Sequence, residues 1–149
     1  MIIIAPYAKQ LRSGAKHPKN YPYWKEVVSM IKEPVVQIGV EGEEQLVKDF
    51  RKNLKLSELE QLVMQSKTWI SVDSFFQHFC WSLNRPGIVL FGQSDPNIFG
   101  HVENINLLKD RKYLREKQFW LWEQCEPNDE AFVEPQVVIK SLYEHFSVL

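Results

Sequence analysis

Apolar positions along this chain follow two periods. Short unbroken runs occur at Ile2–Ala5, Val35–Val40, Thr68–Val72, the segment GIVLFG at 87–92, and Ile105–Leu108. Runs of this length read as buried strands. Between them, apolar residues recur at helical spacing. Trp24, Val27, Val28 and Ile31 form one stripe over Pro22–Ile31. Ser57-Glu58-Leu59-Glu60 fits a capping box that opens a helix to about Gln65. Asp73-Ser74 caps a helix with Phe76, Phe79, Cys80 and Leu83 as its core stripe. Gln136–Phe146 is a closing helix with Val137, Ile139 and Leu142 inward. Arg111–Gln124 reads as a charged amphipathic helix that packs Phe119, Trp120 and Trp122 inward. A further short strand is expected near Gln45–Lys48.

Strands and helices alternate throughout. That order describes an α/β protein with a Rossmann-like, doubly wound, mostly parallel sheet of five or six strands and helices on both faces, in one domain spanning 1–149. Ligands of such sheets bind outside the carboxyl ends of the strands. A helix N-terminus there offers unpaired N–H groups and partial positive charge, so an anion is the default ligand.

Composition adds exclusions. The formal net charge of −1 gives no global pull toward nucleic acid or a membrane surface. Two scattered cysteines, Cys80 and Cys125, do not make a disulfide framework; Cys80 reads as a buried free thiol. MIIIAP is too short for a signal peptide and no run reaches the length of a membrane span, so a cytoplasmic location is expected. GxGxxG, the P-loop and GxSxG are all missing, and no His/Cys/Asp cluster has metal-ligand spacing, so neither cofactor nor metal is expected. Charge is uneven, however. Residues 1–25 hold Lys9, Arg12, Lys16, Lys19 and Lys25 and no acid. Arg12, Lys16 and Lys19 lie in a long loop over 6–22, and long loops in compact domains are usually functional.

The run ISVDSFFQHFCWSLNRPGIVLFGQSDPNIFG resembles the nucleotide-sugar-binding half of the family 9 glycosyltransferases, the heptosyltransferase family. Matching positions are Val72, Asp73, Ser74, His78, Pro86, Gly92, Ser94, Asp95, Pro96 and Gly100. PYAKQLRSGAKHPKNYPYW is similar to the first strand–loop–helix of that half, with Ser13, Lys19 and Tyr21-Pro22 in place, and IGVEGEE is similar to the strand end whose Glu holds the ribose.

The resemblance implies a GT-B C-terminal domain. It implies Ser13, Lys19, Asp73, Ser74, Phe75, Phe76 and His78 at the diphosphate and sugar, and Glu41, Leu54 and Lys55 at the ribose and base. Phe75 stands where many members have Gly, which leaves the N–H donors but adds bulk. Asp73 is open to three roles: capping, orienting His78, or meeting sugar hydroxyls. Ser74 is open to phosphate binding or to capping alone, since both use the same geometry. Asp95 reads as a turn start before Pro96.

The family's acceptor domain, with its catalytic carboxylate, precedes this half, and the chain begins at Met1 with the half's first strand. No catalytic residue is therefore assigned to this chain. The expected function is nucleotide-sugar or nucleoside-diphosphate binding as a stand-alone donor half, with transfer requiring a partner: a separate chain of the N-terminal GT-B type, or a homo-oligomer. The alternatives are a non-catalytic nucleotide or nucleotide-sugar binding module, or a degenerate domain used for protein–protein contact.

Overall fold

The computed structural model describes residues 1–146. Six strands form one sheet: β1 Ile2–Ala5, β2 Val35–Gly39, β3 Asp49–Lys52, β4 Thr68–Val72, β5 Ile88–Phe91 and β6 Ile105–Leu108. Their order is β3-β2-β1-β4-β5-β6 and every pairing is parallel. Parallel neighbours need crossover connections; helices supply all but the one from β2 to β3, which is a loop, and a last helix follows β6. These are α1 Trp24–Met30, α2 Leu56–Gln65, α3 Phe75–Ser82, α4 Pro96–Phe99 and α5 Pro135–His145. The fold is thus the Rossmann-like α/β architecture expected from the strand–helix alternation. No helix among the described residues is long and apolar enough to cross a membrane.

Period-two alternation assigns the two faces. Ile2 and Ile4 of β1 join Ile70, Val72, Ile88 and Leu90 under α1 and α5, where Trp24, Val27, Val138 and Leu142 meet them. Ile3 and Ala5 join Trp69, Val89 and Phe91 under α2 and α3, with Leu59, Leu62, Val63, Phe76 and Cys80. Both faces of the central strands are covered, which is why β1, β4 and β5 are buried at every position rather than every second one. Ile2, Ile3 and Ile4 are wholly buried, each contributing roughly 2–3 kcal/mol by area removed from water. The segment Ala131–Val133 is buried in the first of these cores. At Gly92 the approach of Phe132 leaves no room for a side chain: a Cβ would lie 2.6 Å from its ring.

Three elements differ from the sequence expectation. The strand beside β2 is Asp49–Lys52, not Gln45–Lys48. Buried Gln37 of β2 donates to Glu44 O at 2.8 Å and accepts from Leu46 N–H at 2.7 Å. That pair holds 44–46 as a loop whose Leu46 and Val47 pack on the core. The α2 start is two residues earlier than the Ser57 box: Lys55 is the N-cap and Glu58 accepts its N–H at 3.0 Å.

The largest difference is Arg111–Gln124, which is not a helix. It has short 3₁₀ turns at Arg111–Tyr113 and Trp122–Gln124 with irregular chain between. Its polar groups bond to the loop after β5 instead. Arg115 N–H donates to Gln93 O at 3.0 Å, and the Gln118 amide accepts from Asp95 N–H and donates to Gln93 O, both at 2.9 Å. Phe119 and Trp120 consequently face outward, 81% and 52% exposed.

Candidate functional site

The strand order reverses between β1 and β4, so their following loops diverge and leave a crevice. A cleft of about 1060 Å³ opens there, lined from the ends of β1, β2 and β4. The long loop after β1 is anchored at its base. Trp24 Nε1 donates to Pro6 O at 3.1 Å, Ala8 N–H to Asn20 Oδ1 at 2.9 Å, and the Tyr21 hydroxyl to Val133 O at 2.8 Å. These bonds fix the stretch that carries His17 and Lys19.

Lys19 and Asp73 meet across the crevice, with Nζ to Oδ2 at 3.1 Å. The Asp73 side chain is only 4% exposed and that of Lys19 19%. Asp73 Oδ1 accepts from Gln77 Nε2 at 2.7 Å, and Gln77 itself is fully buried in α3. Asp73 therefore orients Lys19 rather than His78. Ser74 occupies the N-cap of α3 with extended backbone, yet its hydroxyl makes no capping bond. The first-turn N–H groups, including those of Phe75 and Phe76, thus keep their capacity for another acceptor. The Phe75 ring is exposed at the cleft wall and Phe76 is buried beneath it.

His17, which sequence alone did not single out, is buried beside this pair. Its Nδ1 accepts from Lys19 N–H at 3.1 Å, and its ring lies 5.5 Å from that of Trp122. Burial and then the Lys19 charge push its pKa down to about 4, so it is neutral at pH 7 with the proton on Nε2. Lys19 Nζ also sits 5.1 Å from the Trp122 ring centroid.

Of the other predicted residues, Glu41 and Leu54 line the cleft on the β2 side. Glu41 is solvent-facing and 3.4 Å from Lys52 Nζ. The half-buried acid at this strand end is Glu43. It accepts Val40 N–H at 2.7 Å, fits over Gly39, and has its pKa raised by burial. Ser13, Lys55 and His78 fall outside the cleft lining. Ser13 accepts Ala15 N–H at 3.2 Å in a surface turn, and Lys55 is the α2 N-cap. His78 Nδ1 lies 2.7 Å from His101 Nε2, and Trp81 stacks on His101 at 4.6 Å. Burial and then His101 lower the His78 pKa.

Asp95 caps α4 through Asn97 N–H at 2.9 Å and holds Arg111 in a two-bond fork at 3.1 and 2.8 Å. The hydrogen bond from Arg111 holds its carboxyl below the usual range. Arg111, Arg115, Gln118 and Trp122 were hidden from sequence reasoning because helical spacing placed them on an ordinary surface helix. Nothing short of the tertiary fold brings Trp122 to Lys19.

The family model described as glycosyltransferase family 9 (heptosyltransferase) matches residues 1–129. Lipopolysaccharide heptosyltransferase 1 of Salmonella typhimurium (strain LT2) is 27% identical over 110 residues, 64% of this chain and 35% of that protein. The Escherichia coli (strain K12) protein of the same name is 24% identical over 109 residues, 63% of this chain and 34% of its own length. The chain thus spans about a third of the length of these curated relatives. Among solved structures, the dodecameric iron-containing heptosyltransferase TibC, in complex with ADP-D-β-D-heptose, superposes with a TM-score of 0.68. That match covers 96% of this chain and 45% of TibC at 15% identity, and so speaks for the fold. Among the described residues, no group of three or more His, Cys, Asp or Glu side chains gathers where it could hold a metal ion. The parallel order, the crevice beside β1 and the match over residues 1–129 agree: the chain belongs to glycosyltransferase family 9, the heptosyltransferase family.

Proposed function

We propose that this domain binds the diphosphate of a nucleotide-sugar donor in the crevice between β1 and β4, as the donor-binding part of a family 9 glycosyltransferase. The observation that carries this reading is Lys19, held by buried Asp73 beside the uncapped start of α3. A cation, free N–H donors and a roomy cleft together suit an anion attached to something larger. ADP-D-β-D-heptose, the ligand of TibC, is the first candidate. In transfer, such a site would stabilise the departing diphosphate, while a base elsewhere takes the proton of the acceptor hydroxyl.

That base is proposed to come from another domain or from a different chain. Each carboxylate lining the cleft already has a partner. Asp73 has Lys19, Glu41 has Lys52, Glu44 has Lys25 at 3.4 Å, and Glu43 has the Val40 amide.

Calorimetric titration of ADP against adenosine tests the reading. ADP should bind more tightly. Equal affinities, or binding of neither, would remove the diphosphate site. A parallel transfer assay with labelled ADP-heptose should yield no acceptor-dependent product from this chain alone.

A further inference from the structure

We propose that Arg115 is a second cationic ligand of the same diphosphate, presented across the indole of Trp122 by the irregular segment that replaces the expected helix. This rests on the diphosphate reading above and adds a residue that neither the family resemblance nor the sequence pattern assigns.

Trp122 gathers the basic groups of the site. Arg115 Cζ lies 4.1 Å from its ring centroid, Lys19 Nζ 5.1 Å, and the His17 ring 5.5 Å. Two cations on one indole are attracted by its negative face, which offsets part of their mutual repulsion. Asp73 and Glu123 are the acids that act on this corner. Asp73 is committed to Lys19, and no carboxylate among the described residues lies within ion-pair distance of Arg115. His17 registers both cations, Lys19 more than Arg115, and both act to lower its pKa against the opposing Asp73 and Glu123.

Arg115 also has unspent donors. Its Nη2 reaches Leu121 O at a long 3.3 Å. Its Nη1 is buried with no hydrogen-bond partner among the described residues. A buried donor without an acceptor is costly, and in native proteins it usually marks a missing water or ion. The free Nη1, together with the weakly held Nη2, suits two oxygens of one phosphate group. The backbone that carries it is fixed by the bonds from Arg115 N–H and Gln118 to the loop after β5. The side chain is therefore held by a rigid frame against Trp122, beside the Lys19 corner of the cleft rather than in its lining.

Inorganic pyrophosphate is a probe independent of base and sugar. Calorimetry on the full chain should show Arg115→Gln binding pyrophosphate about tenfold more weakly than the unmodified protein, with Arg115→Lys between them. Without any ligand, NMR titration of His17 should show its midpoint rising from about 4 in Arg115→Gln, since one of the charges that lowers it is gone. Pyrophosphate binding within twofold of the unmodified protein would overturn the assignment. If Arg115→Gln fails to fold, Arg115→Lys decides: it keeps the charge and loses the fork, so undiminished binding overturns the assignment. If the unmodified chain binds neither pyrophosphate nor ADP, the diphosphate reading itself fails. If it binds both and Arg115→Gln is unaffected, only the role of Arg115 fails.

Discussion

Replacing Lys19 with methionine should destabilise the domain more than neutralising its partner, and removing both charges should restore much of the loss. The Lys19–Asp73 pair is 3.1 Å apart with side chains 19% and 4% exposed, so unit charges there attract by roughly 5 kcal/mol at an effective dielectric of about 20. Most of that offsets the cost of taking two charges from water. The asymmetry survives the cancellation. In Lys19→Met the Asp73 carboxylate stays buried with the Gln77 amide as its only side-chain donor, which costs about 3 kcal/mol. In Asp73→Asn the released ammonium, nearer the surface, can turn toward water, and the cost is about 1–2 kcal/mol. The double variant strands no charge and should be more stable than Lys19→Met alone.

Urea unfolding followed by tryptophan fluorescence reads all four proteins. With a slope of about 1.5–2 kcal/mol per molar urea for this size, the Lys19→Met midpoint should fall by roughly 1.5–2 M. A loss below about 0.5 kcal/mol in Lys19→Met, or a double variant less stable than Lys19→Met, would refute the argument that Asp73 depends on Lys19 for compensation.

His17 makes stability pH-dependent. Its pKa is about 4 folded against 6.5 for an ordinary histidine; between those values the unfolded chain takes up a proton that the native state refuses. Stability should therefore fall as pH drops from 6.5 to 4, by up to roughly 3 kcal/mol. Unfolding midpoints at pH 7 and pH 4.5 should converge more in His17→Asn than in the unmodified chain, and identical pH slopes would sink the assignment. Gly92→Ala should cost about 1–3 kcal/mol, because its Cβ meets the Phe132 ring at 2.6 Å; calorimetric melting checks it, with partial recovery expected on adding Phe132→Leu. Gln37→Leu should cost about 2–3 kcal/mol by stripping both bonds that hold the 44–46 loop, and the Leu46 amide should exchange measurably faster with deuterium.

The apolar runs announce five of the strands because both faces of a parallel sheet are covered, and no alternation is needed to recognise them. β3 escapes this logic. Asp49–Lys52 is an exposed edge strand of polar sequence, paired on one side only, and its signal is weaker than that of the loop plug Leu46-Val47. The charged stretch after residue 110 misleads for the opposite reason. Its spacing suits a helix, but Gln118 and Arg115 find better backbone partners in the β5 loop, and tertiary bonds override local preference. At the site, Lys19 and Asp73 stand where the motifs suggest a pocket, since strand ends are legible from their runs. Gln77 escaped notice because a buried glutamine is uncommon and Phe76 and Cys80 already account for the stripe. His17 and Trp122 meet across about a hundred residues of chain, for which no local pattern exists, and Arg115 reaches the site only through Trp122.

The central place of β1 bears on how the domain is made. Within this sequence β1 emerges before either of its neighbours. Its first partner, β2, follows some thirty residues later, but its second edge stays open until Thr68–Ser71 have been synthesised. For that interval an Ile-Ile-Ile strand presents unpaired N–H and C=O groups beside apolar side chains, the features that favour wrong pairing between nascent chains. Completing the β1–β4 ladder both shields that edge and brings Asp73 to Lys19. The step that ends the chain's greatest exposure to aggregation is therefore also the step that assembles the crevice.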